Sequence, residues 1–174
     1  MLKRTERAHL EHVFEQIVVR TTPRLRHIAY LFSGNWSDAE DLTQTAYLKA
    51  YRHIQRVCTV DAPDAYLKQI LVRTCIDRAR KRKAQEIITD VVPDLGTTDD
   101  TNDEKWAVRA ALAKVPVSQR EILILRFYAD MSVVETAAAL GCSTGNVKSQ
   151  TSRGLVALAQ HLGVAKSAND GEAS

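Results

Sequence analysis

Apolar positions recur along this chain at the three- and four-residue intervals of an amphipathic helix. No stretch alternates with the two-residue period of a strand, and no Asn-Gly hairpin turn occurs between apolar runs. The pattern predicts an all-α protein with helices near residues 8–20, 23–33, 37–55, 62–84, 104–114, 118–128, 132–140 and 143–162. Three Ser-x-x-Glu capping boxes mark expected helix starts: Ser37 with Glu40, Ser118 with Glu121, and Ser132 with Glu135. A fourth start is expected at Asp61, with Pro63 and Asp64 in the first turn.

The helical pattern lapses once at length, in "DVVPDLGTTDDTNDEKW". There Asp90, Asp94, Asp99, Asp100, Asp103 and Glu104 stand with Pro93 and Gly96, and no basic residue precedes Lys105. This composition predicts an acidic flexible linker over 86–104. It divides a helical domain over 8–85 from a smaller one over 105–162 and leaves 163–174 as a disordered tail.

In the smaller domain the stretch "MSVVETAAALGCSTGNVKSQTSRGL" stops one helix at a glycine and restarts another two residues later. Ala137, Gly141 and Val147 meet three separate requirements of a helix-turn-helix. A small residue permits a close crossing, a glycine takes the positive φ that ends the first helix, and an apolar residue anchors the second. On the second helix Val147, Thr151, Leu155, Leu158 and Leu162 are expected to share the buried face, with Asn146, Ser149 and Arg153, flanked by Lys148 and Gln150, pointing away. From 143 to 162 there is no carboxylate, so this outward face offers hydroxyl, amide and cationic groups to phosphates and base edges in a major groove. Ser143 is expected to cap the helix, placing Thr144 and the unpaired N–H groups of the first turn near a phosphate. An ordinary helical hairpin with a solvated polar face is the plainer alternative, and it leaves the three coincident positions unexplained.

The larger domain carries two further faces. Along "SDAEDLTQTAYLKAYRHI" the residues Ala39, Leu42, Ala46, Ala50 and Ile54 form an apolar side, whereas Asp41, Gln44 and Leu48 line the other. An exposed leucine bordered by acid and amide suits a partner helix. A solitary exposed leucine also needs no function, and acids at 38, 40 and 41 also offset the helix dipole. The helix "DAPDAYLKQILVRTCIDRARKRK" is expected to bury Leu67, Ile70, Leu71 and Thr74. Lys68, Arg73, Arg78, Arg80, Lys81, Arg82 and Lys83 on it oppose only Asp77, a local excess of six positive charges. Such a patch binds phosphates. Arg73, Arg80 and Lys83 are expected to share a face with Val72 and Ile76, beside Tyr66, a mixture suited to unstacked single strands.

Composition narrows the field further. The net charge of +3 is too small to imply a polyanionic partner without the local patches. Cys58, Cys75 and Cys142 form no pair at metal or redox spacing, and the chain shows neither an apolar signal core nor a membrane-length apolar run, so a cytoplasmic protein is expected. No phosphate loop, nucleophile elbow or general-base constellation appears, and His9 and His12 beside Glu11 lack further ligands for zinc. His27, His53 and His161 are scattered, with His53 expected near a buried face. No cofactor, metal or enzymatic activity is expected.

Taken together, "GNWSDAEDLTQTAYLKAY", "DAPDAYLKQILVRTCIDRARKR" and "VPVSQREILILRFYADMSVVETAAALGCSTGNVKSQTSRGL" resemble conserved regions two and four of bacterial sigma-70 family sigma factors. The likeness is to the small extracytoplasmic-function (ECF) group of SigE-like type and spans about 23–162. The resemblance implies that Asp38, Glu40, Asp41, Gln44 and Leu48 contact the β′ clamp coiled coil of core RNA polymerase. It implies that Tyr66, Arg73, Arg80 and Lys83, with a loop over 56–63, engage a melted −10 element with a flipped base. Ser143, Thr144, Asn146, Lys148, Ser149 and Arg153 would read a −35 element. The remaining implied partners are the β flap and an anti-sigma factor, and the acidic linker would thread the RNA exit path. The chain departs from frequent family residues at Thr45, Tyr66, Val72-Arg73 and Asn146. The rival reading is a free-standing helix-turn-helix regulator that binds operator DNA without polymerase. It would need a dimerisation element or ligand pocket, and the sequence displays neither.

Overall fold

The computed structural model describes residues 4–85 and 103–163. The acidic linker and the tail expected from the sequence fall almost wholly outside them. The described residues are all-α, and the chain divides into two compact units, residues 1–92 and 93–174.

In the first unit α1 runs Arg4–Ser33, α2 Trp36–Tyr51, α3 Ile54–Thr59 and α4 Pro63–Gln85. The break expected near residue 21 does not occur, although Pro23 lies inside α1 and cannot donate to the preceding turn. Polar side chains gather at the defect. The Thr21 hydroxyl donates to Ile17 O at 2.8 Å and that of Thr22 to Val18 O at 2.7 Å, while both lie 3.0 Å from the Tyr47 hydroxyl. Tyr47 thereby ties α2 to the proline turn, and α1 continues as one long spine.

Two starts and one end differ from expectation. The cap of α2 is Asn35, not Ser37: Asn35 is extended directly after the Gly34 turn, and its Oδ1 accepts from Asp38 N at 2.7 Å. Trp36 then stacks on Tyr30 with centroids 4.3 Å apart. α2 ends at Tyr51, four residues early, because Arg52 and His53 form a turn before α3. His53 is therefore exposed, and Ile54 belongs to the next helix. α4 begins at Pro63, one residue later than expected, so Ala62 and not Asp61 directly precedes it, its carbonyl accepting from Tyr66 N at 3.1 Å.

The core forms where α1, α2 and α4 meet. Ile28, Leu67, Leu71 and Val57 are at most 1% exposed, and Ala39, Ala46 and Ala50 let α2 approach closely. Full burial of each large aliphatic contributes about 1.5–3 kcal/mol. Val72, Cys75 and Ile76 are also buried, so α4 presents a broader apolar face to the core than the sequence pattern indicated, and Ile70 is only partly covered.

In the second unit α5 spans Asp103–Lys114, α6 Val117–Leu123, α7 Val133–Leu140 and α8 Thr144–Leu162. α6 starts one residue before Ser118, with Pro116 O accepting from Gln119 N and Arg120 N, so Ser118 lies within the helix and does not cap it. The helix widens into a π turn over Ile124–Tyr128. It then stops at Asp130, whose φ of 50° is tolerated by a short polar side chain. Arg126 Nη1 donates to Met131 O across this corner.

Candidate nucleic-acid interface

The helix-turn-helix is built as the sequence indicates. Ser132 and Glu135 exchange both bonds of the capping box, 3.1 and 2.7 Å. Gly141 ends α7 at φ 67° and Cys142 N reaches back to Ala137 O at 3.0 Å, closing a glycine-dependent helix end. Ser143 caps α8, its Oγ accepting from Asn146 N at 3.1 Å. Ile122, Ala137 and Val147 form a small core with Val133, Leu140 and Cys142 packed against it.

The buried face of α8 is rotated from expectation. Val147 is fully buried and Thr151 partly so, but Leu155 is 43% exposed and Gly154 takes its place in the interior. The reason is a close helix crossing. A Cβ on Gly154 would lie 3.2 Å from Leu123 Cγ and Cδ1 and 3.3 Å from Gln119 Cβ, so a larger residue would require these α6 side chains to give way by a few tenths of an ångström. Gly154 stands seven residues after Val147 on the same stripe, yet a glycine carries no weight in an apolar pattern.

The opposite face is open. Ser143, Thr144, Asn146, Lys148, Ser149 and Arg153 are all exposed. Ser152, which the sequence reading omitted, joins them one turn from Ser149. Both hydroxyls donate to their own helix, to Lys148 O at 3.2 Å and Asn146 O at 3.3 Å, leaving their acceptor lone pairs outward.

In the first unit Asp41, Gln44 and Leu48 are exposed along α2, Leu48 by 67%. Glu40 is exposed and 3.8 Å from Arg26. Asp38 faces elsewhere. Its carboxylate meets Arg78 at 3.0 Å and Arg82 at 3.6 Å on α4.

On α4, Arg73, Arg80 and Lys83 are exposed, but Val72 and Ile76 are core residues, so the expected mixed cationic and apolar face is not formed. The core takes them because α1 and α2 both pack on this helix. Aromatic character comes instead from Tyr66, partly buried, with the Arg56 guanidinium 5.4 Å above its ring. Arg56 sits on α3, so the loop expected over 56–63 shortens to residues 60–62. Arg56, Arg78 and Arg82 had no local signal pairing them with residues 10 to 44 positions away.

Other surface charges in this unit are also paired. Arg20 Nη2 lies 2.5 Å from Asp64 Oδ1. The Tyr51 hydroxyl, followed by Arg7, holds the Glu11 carboxyl below the ordinary carboxylate range. Among the described residues no cluster of His, Cys, Asp or Glu could hold a metal, and no helix is long and apolar enough to cross a membrane.

A helix-turn-helix with an open polar second helix, together with a separate helical unit with a basic helix end, defines a two-module, DNA-binding transcription protein. The Sigma-70 region 2 family model matches residues 17–85, and the Sigma-70 region 4 model matches 105–158. The chain is 38% identical over 129 residues to the RNA polymerase sigma-E factor of Streptomyces avermitilis, covering 72% of this chain and 71% of that one. It is 33% identical over 154 residues to the ECF RNA polymerase sigma factor SigM of Mycobacterium tuberculosis, covering 87% and 78%. Among solved structures it is similar to the sigma factor RpoE of Bartonella quintana in complex with the anti-sigma factor NepR, with TM-score 0.67, 27% identity and coverage of 87% and 97%. CnrH in complex with the cytosolic domain of CnrY matches with TM-score 0.56, 26% identity and coverage of 87% and 88%. The chain belongs to the sigma-70 family of RNA polymerase sigma factors, in its extracytoplasmic-function group. It is an alternative sigma factor, directing initiation of transcription at promoters.

Proposed function

We propose the following division of labour among its residues. The exposed side of α2, with Asp41, Gln44 and Leu48 at its centre and Glu40 at its edge, docks on the β′ clamp coiled coil of core RNA polymerase. Arg73, Arg80 and Lys83 of α4, with Tyr66 under Arg56, engage the melted strand of the −10 element. Ser143, Thr144, Asn146, Lys148, Ser149 and Arg153 enter the major groove of the −35 element. The observation that carries this reading is the carboxylate-free outer face of α8 on a correctly capped helix-turn-helix. The domains extend over 8–85 and 105–162, and the acidic linker over 86–104 that joins them occupies the RNA exit path. The second domain rests on the β flap, and an anti-sigma factor, the kind of partner bound to the RpoE of Bartonella quintana, sequesters the protein until it is needed. The protein works in the cytoplasm, carries no cofactor, and supplies binding energy and strand capture in place of catalysis.

The test is open-complex formation on a library of promoter fragments. The protein with core polymerase should open specific promoters, and alone should bind duplex weakly. Tight unaided operator binding with no opening by any core enzyme would instead establish a free-standing regulator. Leu48→Ala with Asp41→Ala should reduce core capture in a pull-down while leaving the helical content intact; undiminished capture removes α2 from the docking assignment.

A further inference from the structure

Asp38 is the third residue of α2 and stands among acids that point to solvent, yet its own side chain is only 24% exposed. Arg78 Nη2 donates to its Oδ1 at 3.0 Å, and Arg82 Nη1 lies 3.6 Å from its Oδ2. Asn35 Nδ2 donates to the same Oδ2 at 2.9 Å, while Asn35 Oδ1 caps the Asp38 N–H at 2.7 Å. The carboxylate is thus fixed by its own helix cap and aimed at two guanidiniums one turn apart on α4. Compensation of the α2 dipole would be met by any first-turn acid, and it does not account for this pair.

Arg78 and Arg82 remain 46% and 36% exposed at the side chain, so a nucleic-acid phosphate could reach the same N–H groups. They flank the exposed Arg73, Arg80 and Lys83 in the most basic part of the chain. A phosphate and Asp38 therefore compete for them.

We propose that Asp38 is a positioning residue of the strand-binding surface and not a member of the docking face: an internal counter-ion that holds Arg78 and Arg82 against α2 and withholds them from single-stranded DNA in the free protein. This rests on the reading of α4 as the strand-binding helix. The latch lowers nonspecific attraction to polyanions without removing the cations from the sequence, since each phosphate contact on a single strand adds about 0.7 to the salt slope of binding.

The experiment measures oligothymidylate binding by the full chain across a salt series. Asp38→Asn, which keeps the size but removes the charge and turns one of the two accepting oxygens into a donor, should bind more tightly, with a log–log slope steeper by up to about 1.4 for two released arginines. Arg78→Gln with Arg82→Gln should leave the slope of the otherwise native protein unchanged and cancel the gain in the Asp38→Asn background. An unchanged slope in Asp38→Asn overturns the latch. So does a loss of core-polymerase capture at unchanged slope, which would return Asp38 to the docking face. Should Asp38→Asn fail to fold, the double glutamine variant decides alone: a shallower slope means the arginines already touch the strand and the latch is wrong. The strand reading has its own control. If Arg73→Ala with Lys83→Ala leaves oligothymidylate binding untouched, that reading fails and takes the latch with it.

Discussion

Between residues 68 and 83, α4 carries seven cations and one acid of its own, and two of those cations are tied to Asp38 of α2. α8 carries Lys148 and Arg153 on its outer face and no acid from end to end. One helix concentrates charge and neutralises part of it internally; the other keeps little charge but surrounds it with hydroxyl and amide groups of fixed direction. The difference matches the two kinds of nucleic acid proposed for them. A melted strand is held through its backbone and stacked bases, where charge density and a ring such as Tyr66 matter most. Base edges in a duplex groove are distinguished by donor and acceptor geometry, and excess charge there would strengthen every sequence equally.

The sharpest way to break the comparison is to unseat α8. Gly154→Leu places a side chain where even its Cβ would stand only 3.2–3.3 Å from Leu123 and Gln119, and overpacking of this kind costs up to about 3 kcal/mol. Urea denaturation should show that loss, and promoter binding by the holoenzyme should lose its dependence on the −35 element while oligothymidylate binding by the protein persists. Equal loss of both would mean that the two surfaces are not separable. Ala137→Leu, at the other close crossing, should act in the same direction by about 1–3 kcal/mol, since Ala137 is 6% exposed within the small core.

A smaller effect is expected from Arg153→Ala, which leaves the fold alone because the side chain is exposed. Removing one cation from a duplex interface should cost about 1–2 kcal/mol and make the salt slope shallower by about 0.9. Measured on holoenzyme with promoter and with scrambled duplex, a loss confined to the promoter identifies a base contact, and an equal loss on both identifies a phosphate contact. No change on either would remove Arg153 from the reading face. Ser132→Ala, which deletes one arm of the capping box below that face, should cost about 1 kcal/mol by thermal denaturation with promoter preference retained. A cost near zero would show that Glu135 alone holds the start of α7.

The same contrast governs how much could be read from the sequence. The caps and corner of the helix-turn-helix were legible to the residue, because capping box, positive-φ glycine and cap serine are local devices whose partners lie three to five positions apart. The first unit was legible as helices and as core alanines but not in its joints. Pro23 looked like a break because its compensation comes from Tyr47, which local patterning cannot place beside it. Val72 and Ile76 looked like part of an outer face because a helix covered by two neighbours buries more than one stripe, and the second neighbour is not visible in its own periodicity. Asp38 looks like one acid among three, since the residues that distinguish it lie 40 and 44 positions downstream. Gly154 marks the opposite failure, a core position that carries no side chain to register.

The smallest expected effect compares the three cysteines, two in the first unit and one in the second. Cys75 is 2% exposed on the inner face of α4, and burial pushes its thiol up to about 12, with Lys49 opposing that shift. The thiolate is the nucleophile, so at pH 8 this group should be almost wholly protonated and inert. Cys58, whose thiol donates to Leu10 O at 3.5 Å and is also raised by burial, should react slowly. Cys142, part-exposed in the turn between α7 and α8, should be alkylated first. The sign for stability follows from the raised value: the protonated thiol is favoured in the fold, so its contribution is complete below the unfolded value near 9 and declines as pH climbs toward 12. Timed iodoacetamide labelling read by peptide mass spectrometry should therefore give Cys142 ahead of Cys58 and leave Cys75 unlabelled until the chain is unfolded. Label on Cys75 at the rate of Cys142 would mean that α4 leaves the α1 and α2 core readily, and a helix that loose could not keep Arg78 and Arg82 on Asp38.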